Sequence, residues 1–310
     1  MSALQQHARG SAMPSPAQRR TIILVADDFA LTGGVSAGIE SLARARRISA
    51  TSALVTLPRW KRDGHRLAPL RDRIALGLHV NLTLGQPLGP MPQLAPRGAL
   101  PSIAALSRMA WLGRIAREEI ASEITRQLAA FEVIVGHPPD IIDGHQHAHA
   151  LPLVRDGLVM ALQRRFASAP VRPLVRIPSS RTGSLLAIKR SRAKAITLSL
   201  LTRGFATKIT RAGYPTNNGF SGVTSFAAHP ATAAAELESA AEAARGLHLV
   251  MCHPGLPSPE LARLDPVTDR RSVELALLGR DNALTPHLWS PLRTADGAPV
   301  DWRRERELFA

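Results

Sequence analysis

The sequence predicts an α/β protein: one domain built on a parallel sheet covered by helices. Three observations carry that expectation. Strand-like runs alternate with amphipathic, helix-like segments along most of the chain, as they do in β-α-β units. The strand-like runs, such as Ile22-Ile23-Leu24-Val25-Ala26, are apolar throughout rather than alternating, the mark of strands buried on both faces. The length, 310 residues of which 45% are hydrophobic, suits a single large core. No internal repeat and no independent second domain is visible.

The first run ends in two adjacent acids, Asp27 and Asp28. Neighbouring carboxylates at the end of a buried strand repel each other and lose solvation. A cation at that point would offset the cost. The ordinary alternative is a helix N-cap, with Asp28 or Thr32 opening the following helix. That helix is expected over residues 35–46, with Val35, Ile39 and Leu42 on one face. A second strand over 50–57 completes a right-handed β-α-β unit.

A polar helix over 60–70 leads to a third strand, 74–82, that contains His79 and Asn81 on one side. Residues 85–98, rich in Pro and Gly, read as a long loop over one face and a candidate lid. A helix is expected over 107–131. Then Pro138-Pro139 precedes a short strand running into Asp143-Gly144-His145-Gln146-His147-Ala148-His149. A helix over 153–166 and a strand over 174–177 follow. The basic stretch from Ser184 to Phe205 reads as helical, residues 217–222 as a loop with little regular structure, and 232–245 as a helix. The last strand, 247–252, ends at His253-Pro254-Gly255. One more helix near 268–278 and a polar tail complete the chain.

Four strand ends therefore carry chemistry: Asp27 with Asp28, His79, Asp143 with His145, and His253. In parallel α/β folds the C-terminal strand ends share one face, where active sites form. A carboxylate with two imidazoles is a common ligand set for a divalent metal with open positions. Water on such a metal becomes a nucleophile near neutral pH, a second acid can take its proton, and a further His can protonate a leaving group. Of the three histidines within 145–149, one or two can be ligands. Other devices are not indicated: Cys252 reads as a small buried residue, and there is no Gly-x-Ser-x-Gly elbow, P-loop or G-x-G-x-x-G. His248, inside the last strand, reads as a satisfied core residue. From the residues alone the reading stops at a metal-dependent hydrolase.

The motifs VADDFALTGGVSAGI, ISATSALVT, GLHVNLT, DGHQHAH and MCHPG, in this order over about residues 20–280, resemble the YdjC-like carbohydrate deacetylases, the ChbG/HpnK family. The resemblance implies a distorted (β/α) TIM-like barrel over 21–285 and metal-dependent removal of an N-acetyl group from an amino sugar, whether a chitooligosaccharide, another N-acetylglucosamine-containing saccharide or a glycolipid. By motif position it makes Asp28, His79 and His145 the metal ligands, Asp27 the general base and His253 the acid or oxyanion partner. Asn81, His147, His149 and Phe220 are the candidate substrate contacts. The cofactor expected is a divalent metal ion, Mg2+ first and Zn2+ as the alternative. Ala30 departs from the family pattern, where Gly is usual after the DDF motif.

Charge and targeting add further expectations. The net charge is +15, and no acidic residue occurs between Asp156 and Glu236. Such a field attracts anions, although an Arg-rich composition needs no partner to explain it. The second reading is thus a basic membrane- or nucleic-acid-associated protein, and the third a metal hydrolase acting on a phosphodiester. The stretch from Ser184 to Phe205 is the candidate contact with an anionic membrane; no specific nucleic acid is expected, and the sequence leaves the choice between monomer and homodimer open. Residues 1–20 lack an apolar signal core and read as a disordered leader, and residues 286–310 as a C-terminal tail. One cysteine excludes disulfides within the chain, and cytoplasmic residence, with peripheral contact at the inner membrane face, is expected.

Overall fold

The computed structural model describes residues 21–179, 202–291 and 298–308. The leader and nearly all of the 184–205 stretch lie outside the described residues. One seven-stranded, all-parallel sheet forms the centre: β1 (Thr21–Phe29), β2 (Ala50–Ala53), β3 (Ala75–Val80), β4 (Ile141–Gly144), β5 (Leu174–Val175), β6 (Gly219–Ser221) and β7 (Leu247–Cys252), in the order β5-β4-β3-β2-β1-β7-β6. The sheet curls until its edges meet. Val175 bridges Thr216, three residues before β6, and the Asn217 amide accepts from and donates to the Ile177 main chain at 2.8 and 3.1 Å.

The unbroken apolar runs follow from two cores. In β1, Ile22 and Leu24 join the outer core beneath the helices, while Ile23 and Val25 point into the barrel with Leu249, Met251 and Ile141. Helices α1 (Gly33–Arg44), α2 (Trp60–Asp63), α3 (Ile103–Trp111), α4 (Arg117–Val135), α5 (Val154–Phe166), α6 (Phe205–Arg211), α7 (Pro230–Ala243), α8 (Pro259–Leu264) and α9 (Asp269–Leu278) surround it. Val35, Ile39 and Leu42 of α1 are buried as the spacing predicts. Thr32 caps α1, its hydroxyl accepting from Val35 N at 3.2 Å, so neither Asp27 nor Asp28 is spent as a cap. Among the described residues no helix is long and apolar enough to cross a membrane.

Several elements differ from expectation. The 107–131 helix is two helices, parted where Gly113 takes φ +72°. The 60–70 helix is one turn of α-helix followed by 3-10 turns. Residues 219–221 are a strand rather than a loop. Their composition signals a turn, but pairing with β7 overrides it, and only glycine fits at 219, where a Cβ would stand 2.4 Å from His248 Nδ1. The 85–98 loop is fastened to α4: Leu88 N donates to Glu123 and Gln93 N to Glu119, at 3.0 and 2.9 Å.

The end of the chain is part of the fold. Trp289 and Trp302 are buried in the barrel interior with Val300, their rings 4.8 Å apart, and α10 (Trp302–Leu308) was not expected. Asp140 ties this segment down, accepting from Val300 N at 3.1 Å and, through its carbonyl, from Trp302 Nε1 at 2.7 Å.

One irregularity in β1 matters for the site. Ala26 pairs with Thr51 but Phe29 pairs with Ala53, so β1 carries an extra residue, a β-bulge. Asp28 and Ala30 sit there at φ +68° and +70°, in the left-handed region.

Four outcomes are expected. Trp302→Ala should cost about 3–5 kcal/mol in urea unfolding, because it empties the barrel floor. Ala30→Gly should stay within about 1 kcal/mol of wild type, because relief of the left-handed strain, about 1–2 kcal/mol, offsets a lost methyl, about 0.8 kcal/mol. Ala26→Gly, equally buried in extended backbone, has no such relief and should lose more. His248 is buried against the Ser221 hydroxyl at 2.8 Å, and burial lowers it to about 4, against about 6.5 unfolded. The unfolded chain therefore takes that proton first as pH falls, and stability drops from about pH 6.5 to about 4. His248→Gln should flatten that limb by up to about 1.4 kcal/mol per pH unit.

Candidate active site

The C-terminal strand ends open into a cleft of ≈ 370 Å³. Its lining includes Asp27, Asp28, His79, His145, His253 and Arg271 together with the apolar Val223, Phe226, Met251, Leu264 and Val267. In a regular strand, successive side chains point to opposite faces. The bulge at Asp28 breaks that alternation, and both acids line the cleft.

Asp28, His79 and His145 place one donor atom each within 4.8 Å of one another. Asp28 Oδ1 lies 3.0 Å from His145 Nδ1 and 3.4 Å from His79 Nε2. Ligands each about 2.0–2.2 Å from one metal ion stand about 3.0–3.5 Å apart, so these separations fit a shared cation. His79 also shows the usual support of a metal-binding imidazole: its Nδ1 lies 2.6 Å from Asp143 Oδ1, which fixes the tautomer and turns Nε2 toward the cluster. Burial alone would lower the His79 pKa, but Asp143, Asp27 and Asp28 together push it up to about 10.

A second triplet, Asp27, His79 and Asp143, also has metal-ligand spacing. That place already holds a cation. Arg176, wholly buried, donates to Asp27 Oδ2 and Oδ1 at 2.7 and 2.6 Å and pairs with Asp143 Oδ2 at 2.5 Å. Burial would raise Asp27, yet Arg176 holds it at about 2, ionised throughout the neutral range. Ser52 Oγ, 3.5 Å from Asp27 and 3.1 Å from His79 Nδ1, joins the two. Asp28 has its own guanidinium: Arg271 Nη2 donates to Oδ2 at 2.6 Å and also meets Asp265. Burial opposes ionisation of Asp28, and Arg271 with His145 holds its pKa well below the usual range. Oδ2 is thus engaged and Oδ1 faces the two imidazoles.

The expected substrate contacts divide. His147 lines the cleft at φ +58°, edge-on to Phe220 at 5.6 Å, and burial holds it neutral. Asn81, His149 and Phe220 do not line it. The Asn81 carboxamide organises the following turn, accepting from Thr83 N and Leu84 N and donating to Thr56. His149 Nε2 meets the Arg176 carbonyl at 3.0 Å and its ring stands on Phe205. Phe220 is buried in the barrel interior.

Arg176 and Arg271 were not singled out from the sequence. Arg176 follows β5 directly and could have been found by the strand-end rule that found His79. Arg271 lies on a helix, where one arginine resembles any other. Arg176→Met should cost about 3–5 kcal/mol in urea unfolding, because it strands Asp27 and Asp143 together in the interior.

The family model described as YdjC-like protein matches residues 21–285. A chitooligosaccharide deacetylase of Enterobacter sp. (strain 638) is 31% identical over 172 residues, 52% of this chain and 66% of that protein. One of Proteus mirabilis (strain HI4320) is 36% identical over 128 residues, 41% of this chain and 49% of that protein. The chain thus spans less than two-thirds of the length of these curated relatives. A crystal structure from Enterococcus faecalis V583, of a protein named for cellobiose-phosphate cleavage, superposes with a TM-score of 0.66 at 19% identity, covering 88% of this chain and 97% of that one, and shares the fold. With the family model covering nearly the whole barrel, this chain belongs to the YdjC-like protein family.

Proposed function

We propose that the protein is a divalent-metal-dependent carbohydrate N-deacetylase, a hydrolase that removes the acetyl group from an N-acetylated amino sugar. The observation that carries this reading is the convergence of Asp28 Oδ1, His79 Nε2 and His145 Nδ1 at one end of the cleft, with an ionised carboxylate, Asp27, beside them. The relatives named as chitooligosaccharide deacetylases support the substrate class.

Asp28, His79 and His145 would hold the metal. When bound, the ion supplies a polarised acetyl carbonyl and a water of lowered pKa. Asp27 is the proton acceptor. Arg176 keeps it charged and occupies two of its roughly four lone-pair positions, leaving the others for a water in the cleft. Arg176 also makes Asp27 a weak base, so it serves only a water that has already been acidified. His253, lining the same cleft, is the side chain placed to pass a proton to the departing amine. His147, neutral at working pH, accepts a hydrogen bond from the substrate. Two imidazoles in the donor set favour Zn2+-like ions over the Mg2+ expected from the resemblance, since Mg2+ prefers oxygen ligands.

The test is acetate release from N-acetylated chitooligosaccharides and N-acetylglucosamine-containing glycolipids, with metal analysis of the same samples. Chelation should abolish release, and added divalent metal should restore it. Asp27→Asn should lower kcat by about 10²-fold or more with metal content unchanged, whereas His145→Ala should lower metal content itself. Full activity in Asp27→Asn would remove the base role, and hydrolysis of bis(p-nitrophenyl) phosphate to its monoester and p-nitrophenol, with no acetate released from the sugars, would favour the phosphodiester reading.

A further inference from the structure

A second buried charge cluster lies beside the cleft. Arg270, Glu274 and Glu236 are 2%, 3% and 8% exposed, and none of them touches Asp28, His79 or His145. Arg270 and Glu274 stand one turn apart on α9, with Arg270 Nε donating to Glu274 Oε1 at 2.8 Å. The other oxygen, Glu274 Oε2, accepts from the His253 main-chain N–H at 2.6 Å. Arg270 Nη1 reaches a different part of the chain: the Ala227 carbonyl at 3.0 Å and Glu236 Oε2, on α7, at 2.7 Å. Glu236 Oε1 accepts from both N and Oγ of Ser225 at 2.9 Å.

Between Ser225 and Ala227 stands Phe226. Its ring meets the His253 imidazole edge-on, with centroids 5.8 Å apart. Phe226 has φ +59° and is 37% exposed. A left-handed phenylalanine costs about 1–2 kcal/mol. The hydrogen bonds of the 225–227 turn to Glu236 and Arg270 hold it in that conformation. Arg270 is therefore the shared member of two chains of contacts. One runs through Glu274 to the main chain of His253, the other through the turn to its ring.

We propose that Arg270 is a positioning residue that sets where His253 stands in the cleft. A lysine cannot replace it, because the two chains need Nε and Nη1 at the fixed spacing of a planar guanidinium, and an ammonium reaches only one of them. The role of His253 in chemistry rests on the deacetylase reading; the positioning does not. The competing possibility is a plain ion-pair cluster that holds α7 to α9 and leaves His253 indifferent.

Amide hydrogen exchange on the metal-loaded full chain separates the two. Arg270→Lys should raise exchange about tenfold, the scale of one charge-assisted hydrogen bond, in both the 222–229 and 250–257 segments. Residues 141–150 should keep wild-type rates. Glu236→Gln should loosen the first segment and Glu274→Gln the second. Wild-type rates in both segments of Arg270→Lys, or an even rise across the whole chain, would overturn the proposal. Should Arg270→Lys fail to fold, the two glutamine variants decide, and unchanged rates in both would overturn it. In acetate release, Arg270→Lys should lower kcat about tenfold, with KM within about threefold and metal content unchanged. A wild-type protein that releases no acetate would count against the deacetylase reading, while the exchange rates still judge Arg270.

Discussion

Three carboxylates, Asp27, Asp28 and Asp143, are buried within one end of the barrel, and two guanidiniums reach them there. Charges this far from water persist only when paired and hydrogen-bonded. Arg176 bridges Asp27 and Asp143, and Arg271 takes one oxygen of Asp28. What remains is Asp28 Oδ1, facing two imidazole nitrogens. The arginines therefore do more than neutralise the acids. By filling the alternative positions they leave Asp28 Oδ1 and the two imidazoles open to the cleft, and they keep Asp27 ionised beside them. Among the described residues two triplets have metal-ligand spacing, and the one at Asp27 and Asp143 is already filled by Arg176.

That arrangement depends on a local break in regular structure. Adjacent residues of a strand point apart, so Asp27 and Asp28 could not share a cleft on an ideal strand. The bulge and the left-handed backbone at Asp28 turn the second acid back toward the first. Gln146 and His147, which also line the cleft, are left-handed as well, at φ +53° and +58°. Strain of this kind persists where the surrounding structure over-determines it, and it gathers at functional sites. Here the rigid surroundings are the two cores: the outer one beneath the helices and the inner one, closed below by Trp289 and Trp302.

Helix α9 shows how much of a site can rest on an element of ordinary appearance. Arg270 and Arg271 are consecutive and both buried, yet they serve different groups. Arg271 holds Asp28, and its carbonyl accepts from Gly255 N at 3.2 Å. Arg270 and Glu274 meet the Phe226 turn and the His253 main chain. One helix thus couples the acid on β1, the histidine after β7 and the Phe226 turn beside it.

The sequence by itself determined the class of fold and the members of the cluster. Apolar runs that ignore period two can only be strands covered on both faces, and polar residues that end such runs must gather on one side of a parallel sheet. That reasoning is local plus topological, so Asp27, Asp28, His79, His145 and His253 were legible one strand at a time. Tertiary structure decided what each of them does with its neighbours. The turn-like residues 219–221 became a strand because β7 was there to pair with them. Asn81 and His149 carry the right chemistry at promising positions, but Asn81 spends its carboxamide on the 83–84 turn and Thr56, and His149 meets the Arg176 carbonyl. Arg176 and Arg271 reach their carboxylates across 149 and 243 residues of chain. No periodicity encodes such distances; they exist only once the barrel has closed and burial has made every unpaired charge costly.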